Sequence, residues 1–258
     1  AAARENGYFV SMASLARYDV EVTRQGIDHL VDQGVEGIVV VAPHEEIARA
    51  VDEYTTACPV VVVAARPEIP DDSAARYVCI NQGSGAAQAT DHLIDLGHTR
   101  IWHIAGPEGW FDSSSRRASY VACMERAGLA PVILTAAGWT PSCGYLLGEQ
   151  VAASVRSGGG PTALFVASDA LAIGLFRAVW EAGLRVPDDV SVVGFDDIEA
   201  AEYLVPRLTT VHQPFAKVGR EALRVLIEQL GRRGGGLPPL ASVLEPELIV
   251  RDSAVRRV

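Results

Sequence analysis

Short, unbroken apolar runs recur along this chain, each followed by a stretch of helical periodicity, and that alternation restricts its folds most. Gly37–Ala42, Pro59–Ala64, Arg100–Ala105, Thr162–Ala167 and Val190–Phe195 are runs of this kind. Continuous rather than alternating hydrophobicity marks strands covered on both faces, as in parallel sheets. Between them, Leu171, Leu175 and Val179 fall at helical spacing, and Ala172 and Phe176 widen the stripe into a core face. Leu223, Leu226, Ile227 and Leu230 do the same from about Phe215 onward. Ser168-Asp169 can cap the helix after the Thr162 run, and Gly183 can end it. The expected class is α/β with mainly parallel sheets.

At 258 residues the chain exceeds one average domain, so two lobes fit its length. Hydrophobic residues make up 49% and charged residues 21%, which suits a globular protein with an ample core. A formal net charge of −10 argues against this piece alone gripping a nucleic-acid backbone. No apolar run approaches the ~20 residues that span a bilayer. The start, Ala1 to Gly7, lacks the charged-then-apolar pattern of a secretion signal, and a cytoplasmic location is expected. Cys58, Cys79, Cys123 and Cys143 are scattered without a C-x-x-C pair, so we expect buried, reduced thiols rather than metal ligands. Gly231–Pro239 reads as a surface connection, and Glu5–Met12 as a helix end, a turn and a strand. A parallel sheet needs a further strand ahead of that one, and none is present in the sequence.

Gly83-Ser-Gly85 ahead of an expected helix over Ala86–Leu96 lacks the third glycine of a dinucleotide fingerprint. His92 and His98 bracket the end of that helix, and Gly97-His98 reads as a stop with a capping side chain. There is no G-x-S-x-G elbow to anchor a hydrolase triad. The Val190 run breaks at Gly194 and delivers Asp196 and Asp197 from its C-terminal end, where open α/β sheets bind ligands. Adjacent residues on an extended chain point to opposite sides, so one aspartate faces a ligand and the other is structural. Trp110, Asp112 and Arg116 follow the Arg100 strand, Trp139 follows the Val132 strand, and Ser168 follows the Thr162 strand. Either tryptophan alone could be a core plug. Indoles together with carboxylates and a guanidinium suit a carbohydrate, because rings stack on its apolar face while the charged groups take its hydroxyls.

Asp91–Ile101, Ala105-Gly-Pro107, Pro161–Gly174, Gly183–Asp197, Leu208–Pro214 and Glu247–Ser253 resemble, in order, the effector domain of the lactose/galactose-repressor family of bacterial transcription regulators. The resemblance implies a two-lobed periplasmic-binding-protein-like fold of type I, each lobe a parallel sheet flanked by helices. It also implies a small-molecule effector in the cleft, homodimerisation, and operator DNA bound through a helix-turn-helix domain that this chain does not contain. The implied lobes are 1–106 with about 213–240, and 107–212 with about 241–258. Arg116 matches the family's hydroxyl-clamping arginine, with Ser119 in place of a glycine. Trp139 matches the aromatic of a Gly-Asp-Trp/Phe segment, with Gly138 in place of the acid. Ser168 stands where asparagine is common, Asp196 matches the effector-binding carboxylate, and Gln213 lies at the hinge crossing. The effector expected is a mono- or oligosaccharide, and Trp110 in Gly-Pro-x-x-Trp, which resembles a subset of actinobacterial glycoside-utilisation regulators, leans it toward an oligosaccharide or β-glycoside. No catalysis, cofactor, metal or membrane is expected. The competing readings are an exported sugar-binding protein of a transporter and, on the Asp196-Asp197 pair alone, a glycoside-processing enzyme.

Overall fold

The computed structural model describes residues 7–15, 17–56, 58–66, 69, 73–231 and 239–257. The chain divides into two compact units: Ala1–Ile80 with Pro214–Leu244, and Asn81–Gln213 with Glu245–Val258.

In the first unit, α1 (Val20–Asp32), β1 (Ile38–Val41), α2 (Glu45–Asp52), β2 (Val60–Val63) and β3 (Arg76–Ile80) follow in order, and α7 (Phe215–Gly231) and β9 (Ala241–Leu244) return later. The sheet order is β1-β2-β3-β9, parallel at each pairing. The Asp19 side chain caps α1 by accepting from the amides of Glu21 and Val22, a contact that typically contributes ~1 kcal/mol. Val218, Ala222, Val225 and Leu226 of α7 pack on Val61, Val78 and Ile80 with Leu230 beside them, so the helix forms as expected but its buried face is turned away from Leu223 and Ile227.

The second unit contains α3 (Gln82–Asp95), β4 (Ile101–Ala105), α4 (Phe111–Arg126), β5 (Val132–Thr135), α5 (Pro141–Arg156), β6 (Ala163–Val166), α6 (Asp169–Glu181), β7 (Ser191–Asp196), a 3-10 turn (Glu199–Tyr203), β8 (Thr209–His212) and β10 (Glu247–Ile249). Its sheet runs β10-β8-β7-β6-β4-β5, parallel except for the β10–β8 edge. One face packs Leu171, Leu175 and Val179 of α6 against Leu164, Val166 and Val192. The other packs Ala86, Ala89 and Leu93 of α3 with Tyr120 and Met124 of α4. Each large side chain taken from water adds roughly 1.5–3 kcal/mol.

Several expectations need correction. The first boundary falls between Ile80 and Asn81 rather than near 106, because β4 is hydrogen-bonded to β5 and β6. Likewise 241–244 belongs to the first unit, because β9 pairs with β3. Residues 8–12 form no strand: they have no partner strand among the described residues, and Phe9 is fully exposed. Gly83 and Gly85 lie inside the first turn of α3 rather than before it, with Asn81 as the cap. Gly85 is needed for packing, since a Cβ there would stand 2.8 Å from the Phe195 ring. Gly97 does stop the helix at φ +87. His98 does not cap it, because its ring bonds Thr162 Oγ1 and the Val255 carbonyl, both at 3.0 Å. Only Cys123 among the thiols is buried, and the four form no disulfide among the described residues. Residues 232–238 of the glycine-rich connection lie outside the described residues.

Candidate ligand site at the strand ends of the second unit

Every site residue expected from the sequence lies in the second unit, beyond the C-terminal ends of its strands or at the start of the helix that follows. Arg116 is central. It projects from the second turn of α4 and is only 2% exposed. Its Nε donates to Gln82 Oε1 at 2.9 Å, its Nη1 donates to the Ala167 carbonyl, and its guanidinium lies 3.7 Å over the Phe195 ring. Those contacts fix the plane of the fork. Nη2 then faces Asp196 at 3.7 Å and Asp112 at 4.0 Å. Both gaps exceed direct hydrogen-bond length. A hydroxyl between them would bond cation and carboxylate together.

Asp196 ends β7 and reaches Gln213, whose Nε2 donates to it at 2.7 Å. Gln213 Oε1 in turn accepts from Gln82 Nε2 at 2.8 Å. A hydrogen-bonded chain therefore runs Arg116, Gln82, Gln213, Asp196, and its two ends face each other across the 3.7 Å gap. Gln82 is the member that sequence reasoning missed. It is 4% exposed and sits in the first turn of α3. Its local signal is a polar pair, Asn81-Gln82, directly after a strand.

The aromatics form one wall. Trp110 and Trp139 meet edge to face at 5.6 Å, and Trp139 lies 5.8 Å from the Arg116 guanidinium. Trp139 also packs against the core cluster, so it is both core plug and wall. Its buried indole nitrogen has no hydrogen-bond partner among the described residues. Ser168 is 3% exposed, and its Oγ accepts the Leu171 amide at 3.3 Å as the cap of α6. It adjoins the arrangement through Ala167, whose carbonyl Arg116 holds. Ser119, in place of the family's glycine, donates to the Gly83 carbonyl at 2.7 Å and ties α4 to α3.

The two aspartates separate as expected, but by another route. Neither is extended: φ is 115° at Asp196 and 54° at Asp197. Left-handed backbone at residues other than glycine costs of order 1–3 kcal/mol each and persists only where surroundings enforce it. Asp197 is held by Arg251 at 2.7 Å and His212 at 3.0 Å, a structural role. Asp196 is left facing Arg116. Burial pushes its pKa up to about 6 against the pull of Arg116 and Gln213, and burial also raises that of Asp112. Asp169, behind them, is raised to about 7, chiefly by burial.

These shifts make a pH prediction. Carboxyls with raised folded-state pKa values hold protons more tightly in the native state, so their contribution is fullest below about pH 4 and is lost as pH rises toward 7. Asp169→Asn should therefore gain stability relative to wild type between about pH 4.5 and 7.5, read from parallel urea melts. A pH-independent difference would contradict the burial assigned to Asp169.

No group of histidine, cysteine, aspartate and glutamate that could hold a metal occurs among the described residues, and none of their helices is long and apolar enough to cross a membrane.

Residues 90–254 match the family model of the periplasmic binding protein-like domain. The HTH-type transcriptional repressor PurR of Haemophilus influenzae is 30% identical over 242 residues, which cover 92% of this chain and 70% of that protein. The lactose operon repressor of Escherichia coli is 29% identical, over 86% of this chain and 60% of its own length. A crystal structure of the Lac repressor dimer bound to operator and the anti-inducer ONPF matches with a TM-score of 0.85 at 28% identity, covering 98% of this chain and 85% of that one. Similar proteins are thus repressors rather than enzymes, and the chain belongs to the lactose-repressor family of transcriptional regulators, with the periplasmic-binding-protein-like effector domain of that family.

Proposed function

We infer that this chain binds a mono- or oligosaccharide effector and thereby controls the operator affinity of a transcriptional regulator that works as a cytoplasmic homodimer. The observation that carries this reading is the Arg116 Nη2 position, 3.7 Å from Asp196 and 4.0 Å from Asp112, beside the Trp110–Trp139 wall. Paired sugar hydroxyls fit between guanidinium and carboxylates, and the apolar face of a sugar ring fits an indole. Gln213 and Ser168 complete the set of expected contacts. Asp197 is committed to Arg251 and His212, which removes the second acid of the Asp196-Asp197 pair, so binding without turnover is the favoured reading. The repressors among the relatives likewise speak for a regulator over an exported transporter component. The effector shifts the regulator only by its differential affinity for the two DNA-binding states.

A thermal-shift panel of mono- and disaccharides, with nucleobases as the planar alternative for the same indoles, tests the proposal. A saccharide at ~100 times its dissociation constant adds about 2.7 kcal/mol. A response to nucleobases alone would sink the saccharide assignment. Asp196→Gly sharpens the test, because glycine relieves the backbone at φ 115 and removes a partly buried carboxylate. It should stay within about 1 kcal/mol of wild type, because the relieved backbone offsets the counter-charge that Arg116 loses, and yet lose the saccharide response. A markedly less stable variant that still responds would refute both halves.

A further inference from the structure

Asp169 is fully buried, out of reach of any ligand, yet its carboxylate touches the element that presents Asp196. Its Oδ1 accepts from Thr210 Oγ1 on β8 at 2.6 Å, and its Oδ2 accepts from the Ile198 amide at 3.0 Å. Ile198 is the residue directly after the two left-handed aspartates. The neighbouring strand makes room for this carboxylate: any Cβ at Gly194 of β7 would collide with Asp169 Oδ1. A left-handed pair of residues with Cβ atoms does not hold itself, and must be fastened by what surrounds it.

The fastenings can be named. Arg251 and His212 grip the side chain of Asp197, Gln213 bonds Asp196, and Asp169 takes the backbone just beyond them. Of these, Asp169 is the one that joins the turn to α6 and, through Thr210, to β8. We propose that Asp169 is a positioning residue for ligand recognition: by holding the Ile198 amide and the Thr210 hydroxyl it locks the Asp196–Asp197 turn in the form that aims Asp196 at Arg116. This rests on the reading that Asp196 meets the effector, and it adds a residue that acts only through Asp196.

The charged groups around Asp169 are Asp196 and Asp197 of the turn, the first faced by Arg116 and the second by Arg251 and His212; Thr210 on β8 is uncharged. Burial first, and the two aspartates after it, push Asp169 up to about 7, while its bonds from Thr210 and Ile198 pull it down. Proton uptake near neutrality therefore happens at the fastening itself, and it supplies a signature that inert packing lacks.

The test uses the ligand-free protein, so its failure is distinct from failure of the saccharide reading. Amide exchange and nitrogen–proton NMR spectra are recorded from about pH 5 to 8.5 for wild type, Asp169→Asn and Asp169→Ala. In wild type the Ile198 amide shift should titrate near pH 7. In Asp169→Asn the step near pH 7 should vanish, leaving only the smaller response to Asp196 near pH 6, with protection kept, since the side-chain amide oxygen still accepts from Ile198 and its NH2 still donates to Thr210. In Asp169→Ala, Ile198 and Asp197 should exchange at least tenfold faster, and the Gln213 side-chain amide should shift as its Asp196 partner moves. Leu164 in β6 should keep its protection, as a control for the fold. If Asp169→Ala loses that protection too, Thr210→Val takes its place, with an expected rise of about threefold in Ile198 exchange. Unchanged exchange at Ile198 and Asp197 in a folded Asp169→Ala or Thr210→Val protein, or an Ile198 amide that titrates equally in Asp169→Asn, overturns the proposal.

Discussion

Arg116→Ala is expected to cost about 3–5 kcal/mol of stability in the second unit and to abolish any saccharide response, because removing one partner of a buried charge cluster leaves the others uncompensated. Four attachments vanish together: the bond to Gln82, the bond to the Ala167 carbonyl, the stack on Phe195, and the field on Asp196 and Asp112. Arg116→Lys should recover only a minor part, since an ammonium cannot reproduce the flat fork that bonds two acceptors and lies on a ring. All four tryptophans lie in the second unit, so indole fluorescence in urea melts reports that unit selectively. An Arg116→Ala protein within about 1 kcal/mol of wild type would mean that the guanidinium is not what organises the strand ends.

Gly174→Ala is expected to destabilise the same unit by about 3 kcal/mol, although alanine is the better helix former. The reason is how closely α5 and α6 approach. A Cβ at Gly174 would run into the Pro141 carbonyl and the Tyr145 amide, and one at Gly144 into the backbone of Leu171. Further along the same contact, a Cβ at Gly148 would stand 2.8 Å from that of Ala178. Backbone cannot rotate aside as a side chain can, so the cost sits at or above the usual 1–3 kcal/mol of overpacking, against a propensity gain of about 1 kcal/mol. Gly159→Ala is the control, because nothing lies within 4 Å of its added Cβ. Equal urea midpoints for the two variants would show that the helices can separate at little cost.

Much of this architecture was legible in the sequence because its signals are local. The five apolar runs became β1, β2, β4, β6 and β7, and the stripes at Leu171 and Leu223 became α6 and α7. Trp110, Asp112, Arg116, Trp139, Asp196 and Gln213 were readable as polar or aromatic residues after strands, and the structure joins them through bonds, ion pairs and ring contacts. What stayed hidden depends on pairing between distant segments. The lobe boundary was misplaced because nothing local says that α3 leads into a different sheet from the one that β3 closes. Gln82 carries no mark of its own; its role exists only because Gln213, remote in sequence, comes within 2.8 Å. The left-handed Asp196-Asp197 turn was invisible for the same reason, since its fastenings come from Asp169, His212 and Arg251.

The order of strands has a consequence for how the chain is made. β9 completes the first sheet and β10 the second, each as an edge strand, and both come from residues 241–249. Just beyond β10, Ser253 donates to the Val192 carbonyl and the Val255 carbonyl meets His98. A nascent polypeptide halted near residue 240 thus carries two bare sheet margins at once, on β3 and on β8. Unpaired margins are templates for aggregation and handles for proteolysis. One short stretch, 241–249, thus closes both sheets, and a chain cut ahead of it exposes both margins together.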